Sequence, residues 1–191
     1  MTIEPTSSGA DASAGAEPRT CLNGVWKLDK TRGEPSMRGY LEVMGVDGLA
    51  IEAHEKGERD VDTLHHILLT GDTYRVKKTS RVNNLQEEFA LGKETLTTLA
   101  DGNRQKKTLV ESENNTTVRI CTHMPTVNGA AEVTDVKTLV HEDNGRVCMH
   151  QELIIKNLNN GKTKVTRRWF TPSSLTPEIS FQNQDAGVLS I

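Results

Sequence analysis

The chain has 191 residues, of which 35% are hydrophobic, 26% charged and 4% aromatic, and its formal net charge is −3. This composition supplies enough apolar material for one domain, and the near balance of charge argues against a nucleic-acid partner. No apolar run reaches the roughly 18 residues that a membrane-spanning helix needs, and the N-terminus lacks the basic and apolar regions of a secretory signal. We therefore expect a cytoplasmic protein.

The N-terminal segment, residues 1–20, is rich in Ser, Ala, Gly, Thr, Pro and Glu and offers little to bury. Such a composition cannot offset the entropy lost on ordering, so we predict a disordered tail. The first patterned run, from Gly24 to Leu28, places Trp26 and Leu28 on one face of a strand. We expect Trp26 to be a core residue, because large aromatic side chains are mostly buried.

Two short helices are predicted after this strand. Residues with apolar or aromatic side chains recur at i, i+3, i+4 and i+7, the spacing of one helical face, before a glycine at position 45: Met37, Tyr40, Leu41 and Met44. A second short helix is predicted from Leu49 to Glu55, ending at Gly57. Together the two form a helix-turn-helix large enough to cover another element.

The region from Val61 to Phe170 reads as short strands separated by turn residues. Asp101-Gly102 between two alternating runs is a strong hairpin signal, and Gly92 marks a second break. Counting the first strand gives about ten strands. Their spacing along the chain is that of an antiparallel sandwich or barrel. Because several strands carry polar residues on both faces, a closed barrel with a partly polar interior fits better than a dry sandwich.

Three motifs accompany this order of elements: GVWKL on the first strand, TLADGNRQKK at the hairpin and TRRWF on the last strand. Together they resemble the cytosolic fatty-acid-binding proteins, the intracellular branch of the calycins, over residues 21–171. The resemblance implies a mainly β fold, a ten-strand antiparallel up-and-down clamshell barrel. It also implies that the helix-turn-helix caps the barrel as a ligand portal and that residues 172–191 form a C-terminal extension.

Proteins of that family often hold a ligand carboxylate with an Arg-x-Tyr motif on the last strand. The resemblance points to Arg167 and Trp169 here, whereas a slip of one residue would turn Arg168 and Phe170 inward instead. We expect the register with Arg167 inside, because a threonine precedes it. An inward arginine can pair with a carboxylate bidentately, although the tyrosine hydroxyl is missing in both registers.

The second basic residue of the family falls near Thr138, which carries no charge. Gln151 is expected to face inward beside Met149, where it could bind a neutral or hydroxyl head group, because an amide both donates and accepts. The predicted ligand-binding set is Arg167, Arg168, Trp169, Gln151, Thr138, Met149 and Tyr40, and the predicted portal consists of Met37, Leu41 and Met44.

The function implied by the resemblance is binding of a fatty acid or similar small hydrophobic ligand, for transport or buffering. We expect a monomer without a cofactor or enzymatic activity, and transient membrane contact through the helical cap. Two alternatives stay open. One is a protein-interaction domain on a filled barrel, and the other is a calycin-fold enzyme, which would need an inward His66, His123 or His150 as its acid-base group.

Histidines, cysteines and the C-terminal extension add weaker signals. The histidines lack metal-ligand spacing, and neighbouring His65 and His66 would point to opposite faces of a strand, so no metal site is predicted. The three cysteines are odd in number and have no CxxC spacing, which favours reduced thiols. Residues 172–191 are expected to form a disordered tail, and Ile179 and Phe181 in this polar segment suggest the alternative that it folds over the portal.

Overall fold

Ten strands, two α-helices and one short 3-10 turn (Asn114–Thr116) make up the described part of the chain, which in this computed structural model covers residues 19–81, 84–99 and 102–177. The helices α1 (Arg38–Met44) and α2 (Gly48–Asp60) lie between the first two strands. The strands are β1 (Gly24–Gly33), β2 (Leu64–Leu69), β3 (Thr73–Thr79), β4 (Asn84–Ala90), β5 (Glu94–Thr98), β6 (Gln105–Glu113), β7 (Thr117–Thr126), β8 (Gly129–His141), β9 (Val147–Asn157) and β10 (Thr163–Pro172).

The strands form one antiparallel up-and-down sheet that curls into a nearly closed barrel. Its order is β4-β3-β2-β1-β10-β9-β8-β7-β6-β5, so the first and last strands of the chain pair with each other. Within the described ranges the ladder ends at β4 and β5, and the Lys106–Glu87 ion pair reaches from β6 to β4 on this side. The mainly β, ten-strand architecture and the break at Gly92 expected from the sequence are confirmed.

The core consists of two clusters of buried side chains. The larger contains Trp26, whose indole Nε1 donates to the Leu22 carbonyl oxygen at 2.8 Å, together with Phe89, Met149 and Phe170. Trp26 is therefore the core residue that its pattern predicts. The smaller cluster lies beneath α1 and includes Val43, Val133, Leu153 and Ile155.

Helix α1 ends where the sequence predicts. Gly45 adopts φ +82°, and a Cβ there would come within 2.4 Å of Asn128 in the turn between β7 and β8, so both conformation and space favour glycine. The helix thus ends against the rim of the barrel.

Helix α2 is longer than predicted. Asp47 caps its N-terminus by accepting from the Leu49 backbone N–H at 2.9 Å. The predicted end at Gly57 is wrong, because the helix continues to Asp60. Glu58 in this extra turn is buried and paired with Arg168 of β10, so tertiary contacts outweigh the weak helix propensity of glycine.

The termini of the described region contact one another. Arg19 Nη2 donates to the Ser173 carbonyl oxygen at 2.9 Å, and its guanidinium lies over the Trp26 ring at 4.9 Å. The expectations for the rest of the two tails, including Ile179 and Phe181, fall outside the described residues. Within the described ranges, no helix combines the length and apolar character that crossing a bilayer requires.

Candidate functional site

A cavity of about 460 Å³ lies inside the barrel beneath the helices. Its apolar wall comes from the strands and includes Val76, Phe89, Ile120, Val133 and Leu153. The residues predicted for the portal and Tyr40 all line it from the helix side: Met37, Tyr40, Leu41 and Met44. The cap and the barrel wall therefore enclose one shared space.

A row of three buried polar side chains crosses neighbouring strands at this cavity. Lys137 on β8 lies opposite Gln151 on β9, and Gln151 lies opposite Arg168 on β10. Their exposed fractions are 0%, 3% and 4%. Because directly opposed residues of an antiparallel pair project from the same face, the register itself brings these three groups together. We call Lys137, Gln151 and Arg168 the polar row.

Asp135 is the carboxylate that neutralises one end of the polar row. It accepts from Lys137 Nζ at 2.5 Å and from Gln151 Nε2 at 2.8 Å, and Lys78 Nζ lies 3.6 Å away. Burial alone would raise the pKa of the Asp135 carboxyl, but these lysines and hydrogen bonds outweigh it and hold the pKa well below its usual range. Burial lowers the pKa of Lys137 to about 8, against the attraction of Asp135.

Arg168 at the other end of the row is paired with the helical cap. Its Nη2 donates to Glu58 Oε1 at 2.7 Å, and both side chains are almost completely buried. His54, one turn earlier on α2, places Nδ1 3.7 Å from Glu58 Oε2. The cap is thus connected electrostatically to the barrel wall at the cavity.

Some hydrogen-bonding capacity remains at this site. Gln151 must turn its NH₂ group to Asp135, because an ionised carboxylate only accepts hydrogen bonds. The Gln151 Oε1 acceptor therefore points away from Asp135 and is not used in this contact. Among the described residues, no hydrogen-bond partner is present for Gln151 Oε1, Arg168 Nε or His65 Nδ1. Burying polar atoms without partners is costly, so these atoms mark where a ligand head group would gain most.

His65 on β2 also lines the cavity. Burial lowers its pKa well below the ordinary value, and the positive charges of Lys78, Lys137 and Arg168 act in the same direction. Its ring packs against Phe170 with 4.5 Å between centroids. At neutral pH it is therefore an uncharged ring that can accept or donate one hydrogen bond.

The histidines expected inside the barrel for an enzyme lie elsewhere. His66 follows the inward His65 on β2 and so belongs to the opposite face. His123 is exposed, and His150 stacks on Trp169 on the outer surface with ring centroids 4.5 Å apart. His54 and His65 are the histidines that line the cavity.

The preferred register of the last strand is wrong. Thr166, Arg168 and Phe170 are the buried row of β10, whereas the Arg167 side chain is 59% exposed and bonds Glu152 at 2.8 Å. Trp169 is also on the outer face, where the Arg32 guanidinium covers its ring at 3.5 Å. The alternative register, with Arg168 inside, is the one that the structure has.

Among the other predicted ligand-binding residues, Thr138 differs from its expected position and Met149 does not. Thr138 pairs with His150 on the outer side of the sheet, and its neighbour Lys137 takes the inward position, so β8 does supply a buried cation. Met149 points inward but is packed in the large apolar cluster. Gln151 faces the cavity as predicted.

Sequence reasoning missed Lys137, Asp135, Glu58 and His65. The period of two along β8 offers a signal for the first two, because inward Val133 and Leu139 imply that the odd-numbered residues between them also face inward. Glu58 had no comparable signal, since it lies beyond the glycine that was expected to end α2.

In residues 19–81, 84–99 and 102–177, no group of three or more His, Cys, Asp or Glu side chains could hold a metal ion. Cys21, Cys121 and Cys148 are free thiols.

Comparison with known proteins shows likeness in fold rather than in sequence. No protein-family model and no curated protein sequence matches the chain. Among solved structures, a REP1-NXSQ fatty acid transporter is 19% identical with a TM-score of 0.56, covering 81% of this chain and 97% of that one. Apo lipid binding protein 8 of Caenorhabditis elegans is 22% identical with a TM-score of 0.55, covering 80% and 95%. Human cRBP IV is 18% identical with a TM-score of 0.58, covering 81% and 100%. The chain has the barrel fold of these proteins, as the sequence motifs predicted.

Proposed function

We propose that the protein binds a fatty acid or a similar small amphiphile inside the barrel. The observation that carries this proposal is a cavity of about 460 Å³ with an apolar wall and one buried polar row. Pockets for small ligands are typically about 300–1,000 Å³ and combine apolar lining with few polar groups. The fold is shared with a fatty acid transporter and a lipid binding protein, which supports the same ligand class.

The charge of the site favours an anionic head group. Among the described residues that line the cavity, three cations, Lys78, Lys106 and Arg168, balance three carboxylates, Glu58, Glu87 and Asp135. The buried Lys137 then adds one positive charge that no further carboxylate of this set offsets. A ligand carboxylate near the polar row would complete the balance.

A hydroxyl head group is the second candidate, and Gln151 favours it. Its Oε1 is a buried acceptor that a carboxylate cannot satisfy, whereas a hydroxyl can donate to it. For either head group, the acyl chain would lie against the apolar wall, where each buried methylene contributes about 0.8 kcal/mol.

Exchange of the ligand would take place through the helical cap. Met37, Leu41 and Met44 line the cavity from α1, and Leu49 at the start of α2 is 78% exposed. An exposed apolar residue on the cap is suited to transient contact with a membrane surface.

We further propose that the protein acts as a cytoplasmic monomer that transports or buffers its ligand, without catalysis. The cavity disfavours an interaction domain on a filled barrel.

Displacement of a fluorescent fatty-acid probe tests the proposal. Val133 lines the cavity, so Val133→Trp fills it and should weaken probe binding at least about tenfold, or ~1.4 kcal/mol. Val127→Trp is the matched control, because Val127 is exposed in the turn between β7 and β8. Absence of probe binding to the unmodified protein, or equal affinity in both variants, would refute the proposal. Mass spectrometry of extracted lipid would then identify the natural head group.

A further inference from the structure

The guanidinium of Arg168 presents one half-occupied edge to the cavity. Nη2 donates to Glu58 at 2.7 Å, whereas Nε has no hydrogen-bond partner among the described residues. Nε and Nη2 lie on the same edge of a guanidinium, and a carboxylate can accept from both at once. Glu58 therefore holds one of the two donors that a ligand carboxylate would use.

Glu58 belongs to the cap rather than to the wall. It lies in the last turn of α2, and 110 residues separate it from Arg168 in the chain. A second ion pair, Arg38–Glu55 at 2.5 Å, instead joins α2 to the start of α1 on the exposed surface. The two pairs thus have different roles. Glu58–Arg168 holds α2 against the barrel wall, whereas Arg38–Glu55 holds the two helices together.

The surroundings of Glu58 offer its carboxylate a second position. Glu58 borders the main cavity and also a smaller crevice of about 240 Å³ beside α2. Lys30 and Arg59 line that crevice together with Glu55, whose carboxylate is already paired with Arg38, so the crevice contains cations that could receive a displaced carboxylate. A change of side-chain rotamer would carry the charge from Arg168 toward this crevice.

We infer that Glu58 is an internal competitor for carboxylate ligands. A ligand carboxylate takes the Nε and Nη2 donors of Arg168 and displaces Glu58, which releases the last turn of α2 from the wall. A ligand with a hydroxyl head group binds without displacing it. Glu58 thereby lowers affinity for carboxylates selectively and couples their binding to the cap. This inference rests on the proposed function.

Substitution of Glu58 separates the two ligand classes. We would measure displacement of the fluorescent probe by dodecanoate and by dodecanol, which differ in head group and share the same chain. Glu58→Gln should raise the affinity for dodecanoate about tenfold, because the competing charge is gone, and change the affinity for dodecanol less than about twofold. Glu58→Asp keeps the charge but shortens its reach, so it should give a smaller gain and serves as the second variant if Glu58→Gln does not fold.

Glu52→Gln is the matched control, since it removes an exposed carboxylate from the same helix that lines neither the cavity nor the crevice. It should leave the ratio of dodecanoate to dodecanol affinity unchanged. The inference is overturned if Glu58→Gln and Glu58→Asp leave this ratio unchanged, or if Glu52→Gln alters it equally. If the unmodified protein binds neither compound nor the probe, the proposed function itself fails, which is a different result.

Discussion

Two buried ion pairs face the same cavity but are built differently. Asp135 and Lys137 are two residues apart on β8, so the period of the strand alone places them on one face. Glu58 and Arg168 come from α2 and β10, and the pair forms only when the helix is seated on the barrel. The first pair is a fixed part of the wall, whereas the second reports whether the cap is in place.

This difference separates two roles that buried charges can have. The pair on β8, with Lys78 beside it, sets a permanent positive field at the polar row. The pair between cap and wall can be exchanged for a ligand contact without disturbing any strand. Predictions that distinguish the two pairs follow, from the largest expected effect to the smallest.

Asp135→Asn should have the largest effect on stability. It removes the charge that compensates Lys137 and Lys78, and breaking a buried pair costs about 3–5 kcal/mol. Urea denaturation would measure this loss in the free energy of unfolding. The double variant Asp135→Leu/Lys137→Met should recover part of it, because the fully buried Lys137 is then no longer left without its partner, although Lys78 and Gln151 still lose Asp135. A single variant within about 1 kcal/mol of the unmodified protein would contradict a fixed wall pair.

Glu58→Gln should destabilise the protein less than Asp135→Asn does, by about 1.5–3 kcal/mol, the range for a hydrogen bond to a charged group. The smaller cost is expected because the end of α2 borders a crevice and can relax. The same denaturation experiment applies, with Glu55→Gln as the exposed counterpart, which should cost less than about 1 kcal/mol. A loss as large as that of Asp135→Asn would mean that the cap pair is as rigid as the wall pair.

His65 should make stability depend on pH. Its pKa is lowered in the folded protein, so below about pH 6.5 the unfolded chain takes up a proton that the folded chain does not. Stability attributable to His65 is therefore fully present above that pH and falls by up to about 1.4 kcal/mol for each unit below it. Comparing unfolding free energies of the unmodified protein and His65→Leu between pH 5 and 7.5 isolates this contribution. If the unfolding free energies of the two proteins changed with pH in parallel, a neutral His65 in the folded protein would be refuted.

Leu49→Glu should slow transfer of a fluorescent fatty acid to vesicles several-fold while leaving equilibrium affinity unchanged. Leu49 is exposed on the cap, and a charge there opposes contact with the membrane surface. Leu96→Glu is the control, because Leu96 is an exposed leucine of β5 outside the cap. Equal transfer rates in the two variants would argue against a portal role for the helices.

Arg167→Ala should have the smallest effect. Its ion pair with Glu152 is exposed and contributes less than about 1 kcal/mol. Probe affinity should stay within about twofold of the unmodified protein, whereas Arg168→Ala should abolish carboxylate discrimination. A large loss of affinity in Arg167→Ala would restore the register that the geometry rejects.

The fold was predictable from the sequence because turns and periods are local signals. The break at Gly92, the glycine that ends α1 and the closing TRRWF strand all correspond to elements of the structure. The resemblance in order of elements then supplied the topology, which local patterns alone do not determine.

The site was less predictable, because which side chains of a strand point into the barrel depends on what covers each face of the sheet. TRRWF places an arginine and an aromatic residue on both faces, so the pattern fits either register. The structure resolves this through β1, whose bulge brings Arg32 over Trp169 and so shields the outer aromatic ring. Glu58 was missed for a related reason, since its partner is distant in sequence.

The open side of the barrel carries a final consequence. Because the ladder of the described residues stops at β4 and β5, these strands present backbone donors and acceptors that another extended chain could engage. Charged side chains flank this opening, with Arg75–Glu88 beside β4 and Lys107–Glu94 beside β5. Such charges discourage the addition of a strand from another molecule. These exposed ion pairs at the edge strands therefore protect the barrel from aggregation.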